Sequence, residues 1–319
     1  MPRLSSEQKV NRRKGIGASD VAELLGISPY EGASPVRLFA EKVGLIPHDD
    51  NEEETTEQRV GHALEGALVR LYERESNRKV ISSGEFVESV VHPDLEWARC
   101  NLDGRIEGAR IALEIKVVGI GMAADWDLLA DDGIPNYVRV QVAWQCFVAD
   151  LDAVHVVALI GGTGFRVFYI DRDRELERML VASCQSFWIG VLSKQAPPLD
   201  GSSGARLMLE ELYPPPPADV ELAAPEHVIP IGDRRVKAAA AEVRAREAKE
   251  LANNELREEM GKLGATVMWS PTWRAIWRQG KDGSRPLLVR AAGEAKQPRL
   301  RAPKANALRP PVIDDGEVF

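Results

Sequence analysis

Two carboxylates and an amine, at Asp103, Glu114 and Lys116, lie close together in the sequence and could do hydrolytic chemistry. Carboxylates that are brought together repel each other, and a hard divalent cation such as Mg²⁺ relieves that repulsion. A bound metal polarises a phosphoryl oxygen and activates water. Lys116 could orient the hydroxide or offset the developing charge. The trio indicates phosphodiester hydrolysis, and the alternative is an ordinary hairpin with polar side chains in solvent.

A hairpin is the element that must position this trio. Residues 102–106 and 111–118 have the composition of strands, and residues 107–110 have that of a turn. Because side chains alternate along a strand, Glu114 and Lys116 are predicted to share a polar face. The opposite face is predicted to enter a core and carries Leu113, Ile115 and Val117.

A second polar segment, residues 12–20, precedes a short apolar stretch near the N-terminus. It is typical of a glycine-rich loop that enters a helix, with Asp20 and Glu23 forming a capping box and Gly26 ending the helix. Free backbone amides at the helix start, together with Ser19 and the preceding arginines, could hold a phosphate. A plain helix entry with solvated arginines is the alternative.

These motifs and two others resemble the YqaJ-type viral recombinase family, whose members are relatives of the phage lambda exonuclease within the PD-(D/E)xK nuclease superfamily. The resemblance covers about residues 10–195 and follows the family's order. The matching blocks are residues 15–20 (GIGASD) continuing to 25–30 (LGISPY), 61–65 (GHALE), His92 with Pro93, 101–104 (NLDG), 114–116 (EIK), and Pro135, Tyr137, Gln141 and Val142.

The resemblance implies a role for each matching residue. Asp103 and Glu114 would bind Mg²⁺, or alternatively Mn²⁺, with the backbone carbonyl of Ile115 as a further ligand. Lys116 would be the catalytic lysine. Glu65, on a helix that extends through residue 72, would bring another carboxylate to the metal; a solvent-facing glutamate is the alternative.

Two further roles follow from the same resemblance. Gln141 matches a glutamine beside the active site, although Ala143 stands where many relatives have a second glutamine. Ser19 with Arg12 or Arg13 resembles the pocket that holds a terminal 5′-phosphate. The choice between the two arginines depends on a one-residue gap, and both are retained.

The implied protein is an α/β enzyme with a PD-(D/E)xK restriction-endonuclease-like core, in which helices flank a central mixed sheet. It would resect duplex DNA ends, in the 5′-to-3′ direction, and leave 3′ single strands for phage-type recombination. The resemblance also implies a ring-shaped homo-oligomer and a partner protein that anneals single strands. It further implies a phage or prophage gene that is expressed in the bacterial cytoplasm. A structure- or sequence-specific endonuclease and a non-cleaving binding module are the alternatives.

Composition limits these expectations. The apolar runs are too short to cross a bilayer, so no membrane association is expected. Three scattered cysteines, Cys100, Cys146 and Cys184, argue for a reducing compartment and cannot supply the four ligands of an iron–sulfur cluster. The net charge is −8, but residues 274–309 contain ten Lys or Arg and only two acids. We expect a basic segment on an acidic body.

The domain organisation follows the changes in composition. Residues 1–195 form the predicted nuclease core, in which 153–159 and 165–170 are further strands and 175–192 a helix. Prolines and glycines indicate a linker over 196–232. Residues 233–297 are predicted to form a long helix with a small β-hairpin extension, and 298–319 a flexible tail.

Three tryptophans in the extension, Trp269, Trp273 and Trp277, alternate with Arg274 and Arg278. Base stacking and phosphate pairing would give such a segment affinity for nucleic acid. The alternative is that the tryptophans form a small core against the long helix.

Overall fold

A computed structural model describes residues 12–46, 55–81, 88–127, 132–280 and 282–291. The chain divides into two compact units, Met1–Ala218 and Asp219–Phe319. The predicted tail, residues 298–319, lies outside the described residues.

The first unit contains six α-helices and seven strands in its described residues, and the second contains one long helix followed by three strands. The α-helices are α1 (Ala18–Leu24), α2 (Pro35–Lys42), α3 (Thr56–Ser76), α4 (Asn136–Ala149), α5 (Arg174–Ser193), α6 (Ser203–Leu212) and α7 (Ile229–Lys262). The strands are β1 (Val80–Ile81), β2 (Glu88–Val91), β3 (Arg99–Leu102), β4 (Gly104–Ile106), β5 (Ile111–Val118), β6 (Ala153–Ile160), β7 (Gly164–Asp171), β8 (Val267–Trp269), β9 (Trp273–Trp277) and β10 (Leu287–Ala291).

The first unit is organised around a five-stranded sheet of order β1-β4-β5-β6-β7. Strands β5 and β6 are parallel, and the other neighbouring pairs are antiparallel. Two parallel strands need a crossover connection, and α4 lies in the segment that joins β5 to β6. The predicted mixed sheet is confirmed.

Both faces of this sheet are covered. On one face, Ala112 and Val118 of β5 belong to the large core that also contains Val138 and Trp144 of α4. On the other face, Leu113 packs with residues of α3. Glu114 and Lys116 do share a face of β5, as predicted, but that face lies under a helix rather than open to solvent. The parallel crossover is the reason, because it places α4 over β5.

The predicted strand over 102–106 is interrupted at Asp103. Strand β3 ends at Leu102 and pairs with β2 in a separate two-stranded sheet, whereas β4 begins at Gly104 and joins the main sheet. The change of partner leaves Asp103 outside both ladders, so its side chain is available to reach across to β5.

Most predicted helices and strands agree with the structure to within a few residues. The predicted helix over 175–192 is α5, which begins after Asp173, whose side chain accepts hydrogen bonds from the amides of Glu175 and Leu176. Helix α6 was not predicted, and it lies within the predicted linker 196–232. It packs on α2 through Ala205 and Met208. Burial of these apolar residues stabilises a helix in a segment whose prolines and glycines indicated a linker.

The glycine-rich loop before α1 is a site of close backbone packing. The Ile16 amide donates to the Trp97 carbonyl (2.6 Å), and the Arg99 amide donates to the Ile16 carbonyl (3.0 Å). The Trp144 indole nitrogen donates to the same Ile16 carbonyl (3.3 Å). A Cβ atom at Gly15 would meet the Trp97 carbonyl and lie 2.9 Å from the Arg99 side chain. Gly15 is therefore required by packing.

Two histidines of the first unit, His92 and His155, have structural contacts. Nδ1 of His155 is hydrogen-bonded to the Tyr72 hydroxyl (2.7 Å), and burial lowers the His155 pKa to about 4. His92 stacks on Phe147 with ring centroids 4.6 Å apart. Within the described residues, no helix has the length and apolar content needed to span a bilayer.

The second unit contains α7 and a three-stranded antiparallel sheet of order β10-β9-β8. The predicted long helix is confirmed and starts at Ile229. The predicted hairpin extension is a meander of three strands, with the turn after β9 stabilised by the side chain of Asp282, which accepts from the Ser284 amide (3.1 Å).

Replacement of Gly15 by alanine is predicted to destabilise the first unit by about 2 kcal/mol, because the new methyl group meets backbone atoms that cannot rotate away. Gly61→Ala on α3 is the matched control. Nothing lies within 4 Å of its added Cβ, and alanine favours a helix interior. Urea unfolding of both variants measures the difference; equal stability of the two would contradict the packing role of Gly15.

Candidate active site

The structure brings Asp103 to the middle of β5. Its Oδ2 atom accepts a hydrogen bond from the Ile115 amide (2.8 Å), which holds the side chain beside Glu114. Burial and the negative charge of Glu114 raise the pKa of Asp103 well above its usual range, and the charge of Glu65 adds to this effect. The charges of Glu114 and Glu65 therefore both act on Asp103.

Glu114 is a buried carboxylate, with only 4% of its surface exposed. Its Oε1 atom accepts from the Lys116 ammonium (2.7 Å) and from the Gln141 amide (2.7 Å). Its Oε2 atom accepts from the Gln145 amide (2.6 Å). A carboxylate in a core must be paired and hydrogen-bonded, and these three donors meet that requirement.

Lys116 is held between Glu114 and Gln141. Its ammonium donates to the Gln141 carbonyl oxygen (2.9 Å) in addition to its ion pair with Glu114. Burial alone would lower the pKa of Lys116, but the charge of Glu114 outweighs it and raises the pKa above its ordinary value. The amine is thus a fixed cation rather than a proton acceptor.

The sequence analysis missed Gln145. It lies one helical turn after Gln141 on α4, so both amides point at β5, whereas Ala143 lies on a different face of the helix. Gln145 is buried and also donates to the Asn101 carbonyl (3.2 Å), which ties β3 to the site. The i, i+4 spacing of two glutamines on an apolar helix is the signal that could have identified it.

The donor set suits Mg²⁺ better than a softer metal. Asp103, Glu114 and the Ile115 carbonyl offer oxygen atoms, and Glu65 is close enough for its charge to act on Asp103. Among the described residues, no group of three or more His, Cys, Asp and Glu side chains is spaced as a ready metal cage. Mg²⁺ commonly uses one or two carboxylates and retains several waters, so this arrangement fits it.

A buried ion pair organises the start of α1. Lys42 of α2 donates to Asp20 Oδ2 (2.6 Å), and Arg12 lies 3.8 Å from Oδ1. Burial would raise the pKa of Asp20, but the two cations outweigh it and lower that pKa. No sequence pattern indicated Lys42, which is more than twenty residues from Asp20 along the chain.

The predicted capping box is wrong in its residues. Gly17 precedes the helix, and Asp20 is the third helical residue, accepting from the Gly17 amide (2.9 Å). Glu23 instead accepts from the Ser34 amide (3.0 Å). The Gly17 amide is therefore occupied by the Asp20 side chain.

The candidate 5′-phosphate residues lie at the surface around this ion pair. Ser19 and Arg13 are exposed, whereas Arg12 is partly exposed and turned toward Asp20. Their predicted contact with phosphate is not decided by these positions and stays a prediction.

The fold and this site place the first unit among proteins of the PD-(D/E)xK nuclease fold. In fold comparison it is similar to an alkaline exonuclease from Laribacter hongkongensis, called LHK-Exo. The structure of that enzyme in complex with dAMP has 17% sequence identity and a TM-score of 0.50, and the match covers 60% of this chain and 94% of the other. A second LHK-Exo structure matches over the same shares with a TM-score of 0.49. At this identity the likeness concerns the fold.

The sequence comparison supports the family resemblance that the motifs indicated. Residues 9–152 match the model of the YqaJ-like viral recombinase domain. The chain is also 32% identical over 210 residues to the uncharacterized protein YqaJ of Bacillus subtilis (strain 168). That match covers 65% of this chain and 63% of the relative.

Gln145→Ala is predicted to lower stability by about 2 kcal/mol, because it leaves a buried oxygen of Glu114 without a donor. Gln185→Ala, at an exposed glutamine on α5, is the matched control and should change little. In a Glu114→Gln background the same Gln145 substitution should cost clearly less. Chemical denaturation of the four variants measures this coupling, and equal costs in both backgrounds would show that Gln145 does not serve Glu114.

Proposed function

We propose that this protein is a metal-dependent DNA exonuclease that resects duplex ends in the 5′-to-3′ direction and leaves 3′ single strands. The observation that carries the proposal is the cluster on β5, in which Asp103 and Glu114 converge while Gln141 holds Lys116. A structural ion pair would not require three mutually repelling carboxylates at one place.

In the proposed hydrolysis, the metal and the side chains of the site have different roles. Bound Mg²⁺ would activate water and polarise the scissile phosphate. Asp103, Glu114, the Ile115 carbonyl and Glu65 would hold it. The Gln141 carbonyl oxygen holds the Lys116 ammonium at the site in addition to the Glu114 ion pair.

Lys116 acts in this proposal as a cation. Its ammonium donates hydrogen bonds to Glu114 and to the Gln141 carbonyl oxygen, so the structure holds it as a donor and a positive charge. Its role is to orient the nucleophile and to stabilise charge that develops on phosphate oxygens. Gln141 is a positioning residue, because it bonds to both Glu114 and Lys116.

End recognition belongs to Ser19 and Arg13 in this proposal. Both are exposed near the start of α1, while Arg12 already faces Asp20 and contributes charge at longer range. A 5′-phosphate paired with an arginine would give the enzyme its preference for one kind of end. The ring-shaped oligomer and the annealing partner remain expectations of the family resemblance.

The comparisons support the proposal at the level of class. The residues that match the YqaJ-like viral recombinase domain include Asp103, Glu114, Lys116 and Gln141. The fold match is to a protein described as an alkaline exonuclease, in one structure with dAMP. Because the chain spans 63% of the length of its YqaJ relative, activity and substrate of the whole protein are proposed from the site.

Asp103→Asn is predicted to raise stability in EDTA by about 1 kcal/mol while it abolishes cleavage, because it removes one of three repelling charges but keeps the acceptor for the Ile115 amide. Adding Mg²⁺ should raise the melting temperature of the unaltered protein and leave that of the variant unchanged. Differential scanning fluorimetry at matched ionic strength measures both effects. A similar Mg²⁺ response in the two proteins would place the metal elsewhere.

Digestion of a linear duplex labelled at one end tests the activity. With Mg²⁺ we expect mononucleotide release that favours a 5′-phosphate over a 5′-hydroxyl, and no cutting of covalently closed circles. Lys116→Ala should reduce the rate by at least about a hundredfold, on the scale of a lost charge-stabilising donor. Lys249→Ala, on the exposed surface of α7, is the matched control.

Each other outcome of this digestion has a definite meaning. Cleavage of closed circles would identify an endonuclease. Absence of Mg²⁺-dependent cleavage on both substrates would exclude the enzyme and leave a binding module. Loss of the end preference in Arg13→Gln but not in Arg12→Gln would assign the phosphate contact.

A further inference from the structure

The small sheet of the second unit has two different faces, which its register defines. Residues directly opposite each other in antiparallel strands share a face. Arg274 of β9 is opposite Arg290 of β10 and Trp269 of β8. Ala275 is opposite Val289 and Met268, so it belongs to the other face.

The Ala275 face is a small core. Ala275 has no exposed surface, and Trp273 and Trp277 lie on the same face by strand alternation. The ring of Trp277 is 3.8 Å from the position of a Cβ atom at Gly261 of α7, and the neighbouring Met260 is fully buried. For Trp277, the interpretation as part of a core against the long helix is correct, and Trp273 lies on the same face of the sheet.

The opposite face is exposed and carries the third tryptophan. Trp269 is 51% exposed, and Arg274 and Arg290 are exposed beside it in one row across the three strands. Since neighbouring strands are about 4.8 Å apart, the row from Arg290 to Trp269 spans roughly 10 Å. The next row is apolar and contains Leu288, Ile276 and Val267.

The opposed positions of Arg274 and Arg290 destabilise the small sheet. Like charges directly opposite each other in an antiparallel pair destabilise a sheet. Strands β8, β9 and β10 contain no acidic residue, and no salt bridge in the described part of the chain involves Arg274 or Arg290. An anionic partner at this face would relieve the repulsion.

We propose that this face, defined by Trp269, Arg274 and Arg290 with the apolar row beside them, binds single-stranded DNA. An exposed indole stacks on an unpaired base of any sequence, and guanidinium groups pair with the flanking phosphates. A duplex would offer phosphates but no free base face for Trp269. The proposal rests on the proposed exonuclease in one respect, because that reaction produces single strands for the face to hold.

Binding of a fluorescein-labelled oligo(dT) of about 20 nucleotides tests this surface. The full chain is used with Lys116→Ala and EDTA, so that the oligonucleotide stays intact and binding is measured apart from cleavage. Trp269→Ala should weaken binding about tenfold, whereas Trp269→Phe should keep most of the affinity because phenylalanine still stacks. Fluorescence anisotropy measures both.

The arginines are tested through salt dependence. For Arg274→Gln with Arg290→Gln, the slope of log K against log salt should fall by about 1.4, the value for two phosphate contacts to a single strand. Arg244→Gln with Arg246→Gln removes the same charge from the exposed surface of α7 and should leave the slope nearly unchanged. Tryptophan emission should be quenched by oligo(dT) in the unaltered chain and less so in Trp269→Phe.

Two results would overturn the proposal. Trp269→Ala could bind oligo(dT) as tightly as the parent chain, or the α7 pair could reduce the slope as much as the sheet pair. Neither depends on nuclease activity. Trp269-dependent binding without cleavage of any duplex would refute only the exonuclease, and cleavage with unchanged binding in Trp269→Ala would refute only this surface.

Discussion

The burial of one carboxylate, Glu114, is the constraint on which the rest of the first unit depends. An ionised carboxylate inside a core costs several kcal/mol unless donors surround it. Lys116 comes from the same strand, but Gln141 and Gln145 come from α4. That helix lies over β5 only because β6 returns parallel to β5. The parallel crossover places α4 over β5, and α4 supplies the donors that Glu114 needs. Each of these three features therefore depends on the other two.

Local signals predicted much of this arrangement. Apolar runs and turn residues predicted β5, β6, β7 and helix α5 to within a few residues. Each of these elements has its sequence pattern within its own residues. The approach of Asp103 to Glu114 was also predictable, since one short hairpin joins them. Gln141 is different: only the family resemblance indicated it, because nothing near it in the sequence shows which strand its helix covers.

Features that depend on distant partners were not predicted. Gln145 resembles any other polar residue until α4 is laid on β5, and Lys42 is an ordinary surface residue until α2 brings it to Asp20. The interruption at Asp103 arises because the residues before it pair in one sheet and the residues after it pair in another. Helix α6 was not predicted because prolines flank its segment and indicated a linker. Composition does not reveal the apolar surface of α2 on which that helix packs.

The placement of the three cysteines has a consequence for the redox chemistry of the first unit. Cys100, Cys146 and Cys184 are all buried in the core between the main sheet, α4 and α5. Burial raises the pKa of Cys146 and Cys184 to about 12 and that of Cys100 as well. The thiolate is the form that oxidants and alkylating reagents attack. The three thiols of the folded unit are thus protected from peroxide, and the rate at which they react reports how often the core around them opens.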